Sequence, residues 1–215
     1  MLNTSVRVLV VDDIASMRNI LSLMLTRLGF EAIEAVENAA QAIQKLEQNE
    51  FGLLISDWQM DGMTGLELLN KIRETPTLQH IPAILVSAQS NEQNAAAAKS
   101  AGAQAYLIKP FRLEILKSTI KEAFDARDAL ELKKTGRLTY KGCTLIPQMD
   151  HNSEYQCHVY NRGNEMTALP ANASQQGAID EAKLWVDQIS LEPKPANVPA
   201  GHRAPSAQGQ QNNPA

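Results

Sequence analysis

Five short apolar runs, each followed by a stretch of helical periodicity, fill the chain from Ser5 to Lys134, and this alternation constrains the fold more than any other feature. The runs are "VRVLVVD", "EAIEAV", "FGLLISD", "IPAILVSA" and "AQAYLIK". They are nearly continuous in apolar character, as strands buried on both faces must be. In the first intervening stretch, Ile20, Leu21, Met24, Leu25 and Leu28 fall at helical spacing and predict one buried face, with Gly29 as the stop. Asn38 predicts the N-cap of the second helix. The last helix is predicted from Arg112 to about Lys134. Strict alternation of strand and helix implies a doubly wound α/β fold, a five-stranded parallel sheet covered on both sides.

In such open sheets, ligands bind beyond the carboxyl ends of the strands. Asp12 and Asp13 end the first strand, Asp57 the third, Ser87 the fourth and Lys109 the fifth, followed by Pro110. Each residue alone reads as a cap or a turn. Together they gather three carboxylates, a hydroxyl and an ammonium at one sheet edge. Carboxylates held close repel one another, and a hard cation with oxygen ligands such as Mg²⁺ relieves that. Cation and lysine together would neutralise phosphate oxygens while one carboxylate attacks phosphorus. On this reading Asp57 is exposed at its strand end, so that it reaches a phosphodonor.

The motifs "VLVVDDIASMR", "LLISDWQM", "LVSA" and "AYLIKPF" resemble the receiver domain of two-component response regulators, and the acidic pair, "SDW" and "KPF" are similar to CheY-like chemotaxis receivers. The resemblance covers about the first 130 residues. It implies a flavodoxin-like strand order of 2-1-3-4-5. It implies Asp57 as phosphoacceptor, with Mg²⁺ on Asp13, Asp57 and the backbone carbonyl of Gln59, and Asp12 assisting through water. It further implies Lys109 as the phosphate-contacting lysine, Ser87 and Tyr106 as the switch pair, and a cis Lys109–Pro110 bond. The implied function is a response regulator in a phosphorelay. It takes its phosphoryl group from a sensor histidine kinase, acts on a downstream protein target, and catalyses only its own phosphorylation and dephosphorylation. One departure stands out: Asp61 occupies the place where the family usually has proline, in "MDGMTG". An alternative is a Mg²⁺-dependent phosphohydrolase of haloacid-dehalogenase type. That class requires Asp-x-Asp after the first strand, whereas here the aspartates are adjacent.

Beyond this domain, expected over 1–134, the texture changes. Over 135–190, "RLTYKGCTLIPQ" and "EYQCHVYNRG" predict a hairpin, and "SQQGAIDEAKLWVDQIS" an amphipathic helix with Ile179, Ala182, Trp185, Val186 and Ile189 on one side. The result is a small ββα unit. From 191 to 215, a Pro-, Ala-, Gln- and Asn-rich stretch with almost no large apolar residue predicts a disordered tail. Four cations face six carboxylates over 136–190, a net charge of −2. A nucleic-acid partner, as in a DNA-binding response regulator, is therefore disfavoured. Cys143, His151, Cys157 and His158 suggest zinc, but strand alternation puts Cys157 and His158 on opposite faces. Two cysteines form no disulfide framework, and the short apolar N-terminal run ends in aspartates. The expectation is a cytoplasmic protein without membrane insertion.

Overall fold

The computed structural model describes residues 2–190, apart from 91, 162, 163, 170, 171 and 173 and the side chains of 164, 189 and 190. The tail expected over 191–215 lies outside the described residues. Five strands, β1 (Val8–Val11), β2 (Ile33–Val36), β3 (Leu53–Asp57), β4 (Ala83–Ser87) and β5 (Ala105–Ile108), form one parallel sheet in the order β2-β1-β3-β4-β5. Between and after them run α1 (Ala15–Arg27), α2 (Ala39–Gln48), α3 (Gly65–Glu74), α4 (Glu92–Ser100) and α5 (Leu113–Thr135). The fold class and strand order are those expected.

Continuous apolar runs are needed because successive strand residues face opposite sides, and both sides are covered. Leu9, Val11, Leu54 and Leu85 pack in one core with Leu46 of α2, Leu68 and Leu69 of α3, and Ala98 of α4. Val8, Val10, Ile55 and Ile84 pack in the other with Leu21 and Leu25 of α1, and Leu116 and Ile120 of α5. The α1 face is narrower than the periodicity suggests: Leu21 and Leu25 are buried, while Ile20 is 46% exposed. Asn38 caps α2, its Oδ1 accepting from Gln41 N at 2.9 Å. A capping box of Thr64 and Glu67 opens α3. From the end of α3, Arg73 donates to the carbonyls of Gln79, Ile81 and Gly102, and so ties α3 to the segments that lead into β4 and β5.

The smaller unit departs from the ββα expectation. It has four antiparallel strands, β6 (Leu138–Tyr140), β7 (Cys143–Met149), β8 (Tyr155–Asn161) and β9 (Asn164–Ala168), followed by α6 (Gln175–Ser190). "RLTYKGCTLIPQ" is two strands, because Lys141 and Gly142 adopt φ of 47° and 78° and fold it back, pairing Tyr140 with Cys143. Two consecutive positive φ angles are the signature of a tight hairpin turn, in which glycine is at ease and lysine is not. The strand β9, "NEMTA", is a polar edge strand whose register slips opposite Val159 and Tyr160, so it carries no clean alternation. The apolar sheet face, with Leu145, Cys157 and Val159, packs under Ala178, Ile179, Ala182 and Val186 of α6. Trp185 is partly buried there, Leu132 of α5 reaches the same cluster, and the Ile189 side chain lies outside the described residues. Among the described residues no helix is long and apolar enough to cross a membrane.

Candidate functional site

Parallel pairing of β1, β3 and β4, β5 brings the residues that end these strands to one sheet edge. Asp12 follows β1, Asp57 ends β3, and Lys109 follows β5. The Lys109 Nζ bridges the two carboxylates, 2.9 Å from Asp12 Oδ2 and 2.5 Å from Asp57 Oδ1. The remaining oxygens are held by the backbone. Asp12 Oδ1 accepts from Ile14 N at 2.9 Å, and Asp57 Oδ2 accepts from Gln59 N at 2.8 Å. The Lys109–Pro110 bond is cis.

Asp57 is not exposed, contrary to the sequence reading. It retains 7% of its surface and Asp12 none. Residues from three strand ends converge and cover both carboxylates, a consequence of tertiary packing that no single strand predicts. Burial pushes the Asp57 carboxyl above its usual range, and the Asp12 charge adds to this. Lys109 and the Gln59 N–H pull it back only in part. Burial also works against the Lys109 ammonium. Its bonds and attractions to Asp12 and Asp57 outweigh that and hold its pKa above the ordinary value.

Asp13 stands apart. Its side chain is exposed and, among the described residues, makes no hydrogen bond or ion pair. Among the described residues, no three His, Cys, Asp or Glu side chains converge on one point. Ser87 is buried, and its Oγ accepts from Gln89 N at 3.0 Å rather than touching Asp57. Tyr106 donates its hydroxyl to Gln89 O at 2.8 Å and packs edge-on against Trp58, with ring centroids 6.1 Å apart. Ser87 and Tyr106 therefore meet through the Gln89 backbone. Asp61 is exposed, one residue before Gly62, whose φ is 80°.

Two contributors escape the sequence reading. Arg18 of α1 donates from Nη1 to the carbonyls of Asp12 at 2.7 Å and Asp13 at 3.0 Å, so it anchors the acidic pair. Gly65, the first residue of α3, comes so close to β3 that an added Cβ would lie 2.0 Å from Asp57 O. A legible signal exists for Gly65: glycine is a poor choice inside a helix, yet it follows directly on the cap in "MTGLE". Gly65→Ala is expected to lower stability by about 1–3 kcal/mol, because a backbone carbonyl cannot swing aside as a side chain does. Urea unfolding checks this, and an unchanged midpoint would refute the close approach.

The zinc candidates do not converge. Cys143 and Cys157 lie in the core of the smaller unit, where burial pushes the Cys157 thiol up to about 11. His158 lies on the opposite sheet face with Nδ1 2.5 Å from Glu165 Oε1, and His151 is exposed between β7 and β8.

Comparison with known proteins agrees with the strand order. Residues 8–121 match the response regulator receiver domain. The chemotaxis protein CheY of Pseudomonas aeruginosa is 34% identical over 119 residues, covering 55% of this chain and 96% of that protein. CheY-3 of Vibrio cholerae is 32% identical over 124 residues, covering 58% and 95%. Among solved structures, the chemotaxis response regulator CheY4 of Vibrio cholerae aligns at a TM-score of 0.53 with 29% identity, over 56% of this chain and 99% of its own. A CheY-like receiver domain protein from Methanospirillum hungatei aligns at 0.53 with 28% identity, over 59% and 98%. The chain thus belongs to the response regulator receiver family of two-component signalling, through a CheY-like domain that ends before the smaller unit begins.

Proposed function

We propose that this chain is a response regulator that accepts a phosphoryl group on Asp57 from a sensor histidine kinase and passes the signal on through a protein contact, in a chemotaxis-type pathway. The observation that carries this reading is the Lys109 bridge between Asp12 and Asp57 at three strand ends. Two aspartates facing one ammonium leave a surplus negative charge in a site where burial already disfavours ionised Asp57. An oxygen-only donor set with that surplus suits Mg²⁺, held by Asp12, Asp13, Asp57 and the Gln59 carbonyl. When bound, the ion would neutralise phosphoryl oxygens as charge builds on them. An Asp57 carboxylate oxygen bonds to phosphorus while the donor's bond to phosphorus breaks, and its electron pair leaves with the donor. Lys109 exchanges a carboxylate partner for a phosphoryl oxygen. Water later attacks phosphorus, releasing phosphate and restoring the carboxylate. The new charge, about −1.5 to −2, would draw the Ser87 hydroxyl from Gln89 and alter the support of Tyr106.

In this reading 1–134 is the receiver, 135–190 carries the output contact, and 191–215 is a tail. The protein works in the cytoplasm and turns over no substrate but its own phosphoryl group. Nothing favours the haloacid-dehalogenase alternative, since adjacent aspartates follow β1 and the nucleophile candidate ends β3. The test is incubation of the full chain with acetyl phosphate. Expected is Mg²⁺-dependent uptake of one phosphoryl group that neutral hydroxylamine removes, as an acyl phosphate requires. A hydroxylamine-resistant label would overturn the reading.

A further inference from the structure

At the opposite end of the sheet from Asp57, a cleft of about 710 Å³ lies between the receiver and the smaller unit. Its walls come from the lead into β1, the segment before β4, one face of α5 and the turn between β6 and β7. On α5 the contributing residues are Arg127, Leu130, Glu131, Lys134 and Thr135, spaced i, i+3, i+4, i+7 and i+8, one stripe of the helix. The neighbouring α5 residues Asp128 and Leu132 instead meet the smaller unit. The helix thus offers one stripe to its partner and a second to this cleft.

The cleft combines an apolar floor with a cationic rim. Leu130 is 47% exposed, although it lies between two packed units. Val6 extends this apolar surface, and Lys134, Lys141, Arg127 and His80 stand around it. Arg127 binds Asp128 through Nε and Nη2, and Lys141 pairs with Asp187. Lys134 is exposed and, among the described residues, makes no ion pair. Arg127, Lys134, Lys141 and Lys183 face Asp128, Glu131 and Asp187 in and behind the wall, a surplus of one positive charge. That sign is opposite to the chain's net charge of −4. Burial, helped by the Asp128 charge, pushes the Glu131 carboxyl upward against the pull of Arg127 and His80. The volume is that of a small-molecule site, and clefts between domains are where such sites concentrate.

We propose that this cleft binds a small amphipathic monoanion, a carboxylate on a medium-length apolar chain. The apolar part lies on Leu130 and Val6, and the carboxylate at Lys134 and the free edge of the Arg127 guanidinium. One surplus positive charge is matched by one negative charge. A dianion would overcompensate, and a neutral chain would leave Lys134 without a partner. Because the walls come from both units, the ligand would also bias their relative packing.

The test is calorimetric titration of the full chain with octanoate and, separately, with octanol. Octanoate is expected to saturate at one molecule per chain, with octanol about tenfold weaker. Lys134→Glu should weaken octanoate about tenfold and leave octanol unchanged. Leu130→Asn should weaken both. Both residues are exposed, so the variants should keep the thermal midpoint of the parent. Asp57→Asn should bind octanoate as the parent does, which keeps this site separate from the phosphoacceptor reading. Equal binding of octanoate and octanol, unchanged octanoate affinity in Lys134→Glu, or no saturable octanoate binding would each overturn the proposal.

Discussion

Asp57→Asn is expected to abolish uptake of hydroxylamine-sensitive phosphate, while Asp61→Asn should change its rate by no more than about threefold. The two aspartates lie four positions apart but differ in every relevant respect. Asp57 ends a strand whose residues are all buried, is held by Lys109 and the Gln59 N–H, and cannot turn away. Asp61 is exposed in a loop, and among the described residues nothing fixes it. An attacking carboxylate must be held in line with phosphorus, and such positioning supplies much of the rate in phosphoryl transfer. The same substitution has a second consequence. Burial raises the Asp57 pKa above its unfolded value, so the folded state binds its proton more tightly than the unfolded chain does. The stability associated with this group is therefore present below the ordinary carboxylate pKa of about 4 and lost as pH rises through the folded value. In metal-free buffer at neutral pH, Asp57→Asn should therefore melt above the parent, and the gap should close as the solution is acidified. Full phosphate uptake by Asp57→Asn would sink the acceptor assignment. A lower neutral-pH melting temperature would sink the electrostatic argument.

The receiver was largely legible because its signals are redundant. A doubly buried strand must be apolar at every position, and a parallel pair needs a helical crossover, so runs such as "VRVLVV" and "FGLLIS" admit few arrangements. Strand order then places the residues that follow β1, β3 and β5 side by side. What was not legible is how far that convergence buries them. The sequence predicts an exposed Asp57 at its strand end, within reach of a phosphodonor. It is covered because Lys109 and Asp12 arrive from elements about fifty residues away on either side. Arg18 was invisible for a related reason: it acts through the backbone carbonyls of Asp12 and Asp13, and carbonyls leave no mark in sequence.

The smaller unit carries weaker signals in its sequence. Lys141-Gly142 is a weaker turn signal than Asn-Gly, because lysine pays a steric penalty at positive φ, and the run it interrupts stays apolar on either side. The Lys141 side chain offers a local explanation for its presence. Its Nζ lies 2.8 Å from Asp187 and over the Tyr140 ring, so the residue links the turn to α6. The edge strand β9 has no apolar alternation, since only its neighbour Leu169 enters the core. Its pairing with β8 comes from backbone hydrogen bonds, which any sequence without proline supports.

Asp128→Ala is expected to lower the stability of the smaller unit by about 2–3 kcal/mol and to loosen it from α5. Asp128 retains 7% of its surface at the junction. Its Oδ1 accepts from Arg127, and its Oδ2 lies 2.5 Å from Lys183 Nζ on α6. Lys183 also lies over the Tyr140 ring, and the Tyr140 hydroxyl donates to Asp187, so the ion pair belongs to a cluster drawn from α5, β6 and α6. Removing the carboxylate leaves a largely buried ammonium and guanidinium without their partner. In buried pairs that loss is larger than the net contribution of the intact pair. The partial exposure of both cations, 15% for Lys183 and 20% for Arg127, holds the loss at or below the bottom of the range of about 3–5 kcal/mol for fully buried pairs. Lys183→Met in the Asp128→Ala background should recover part of the loss, since the apolar side chain still covers Tyr140 and no unpaired ammonium remains. The chain has two tryptophans, Trp58 in the receiver and Trp185 in the smaller unit, so single-tryptophan variants report each unit separately during urea unfolding. The Trp185 transition should shift strongly to lower urea in Asp128→Ala and the Trp58 transition only slightly. Equal shifts at both reporters would mean that the two units unfold as one body, with the charge cluster as part of a common core, and no shift at either would mean that the ion pair contributes nothing to holding them together.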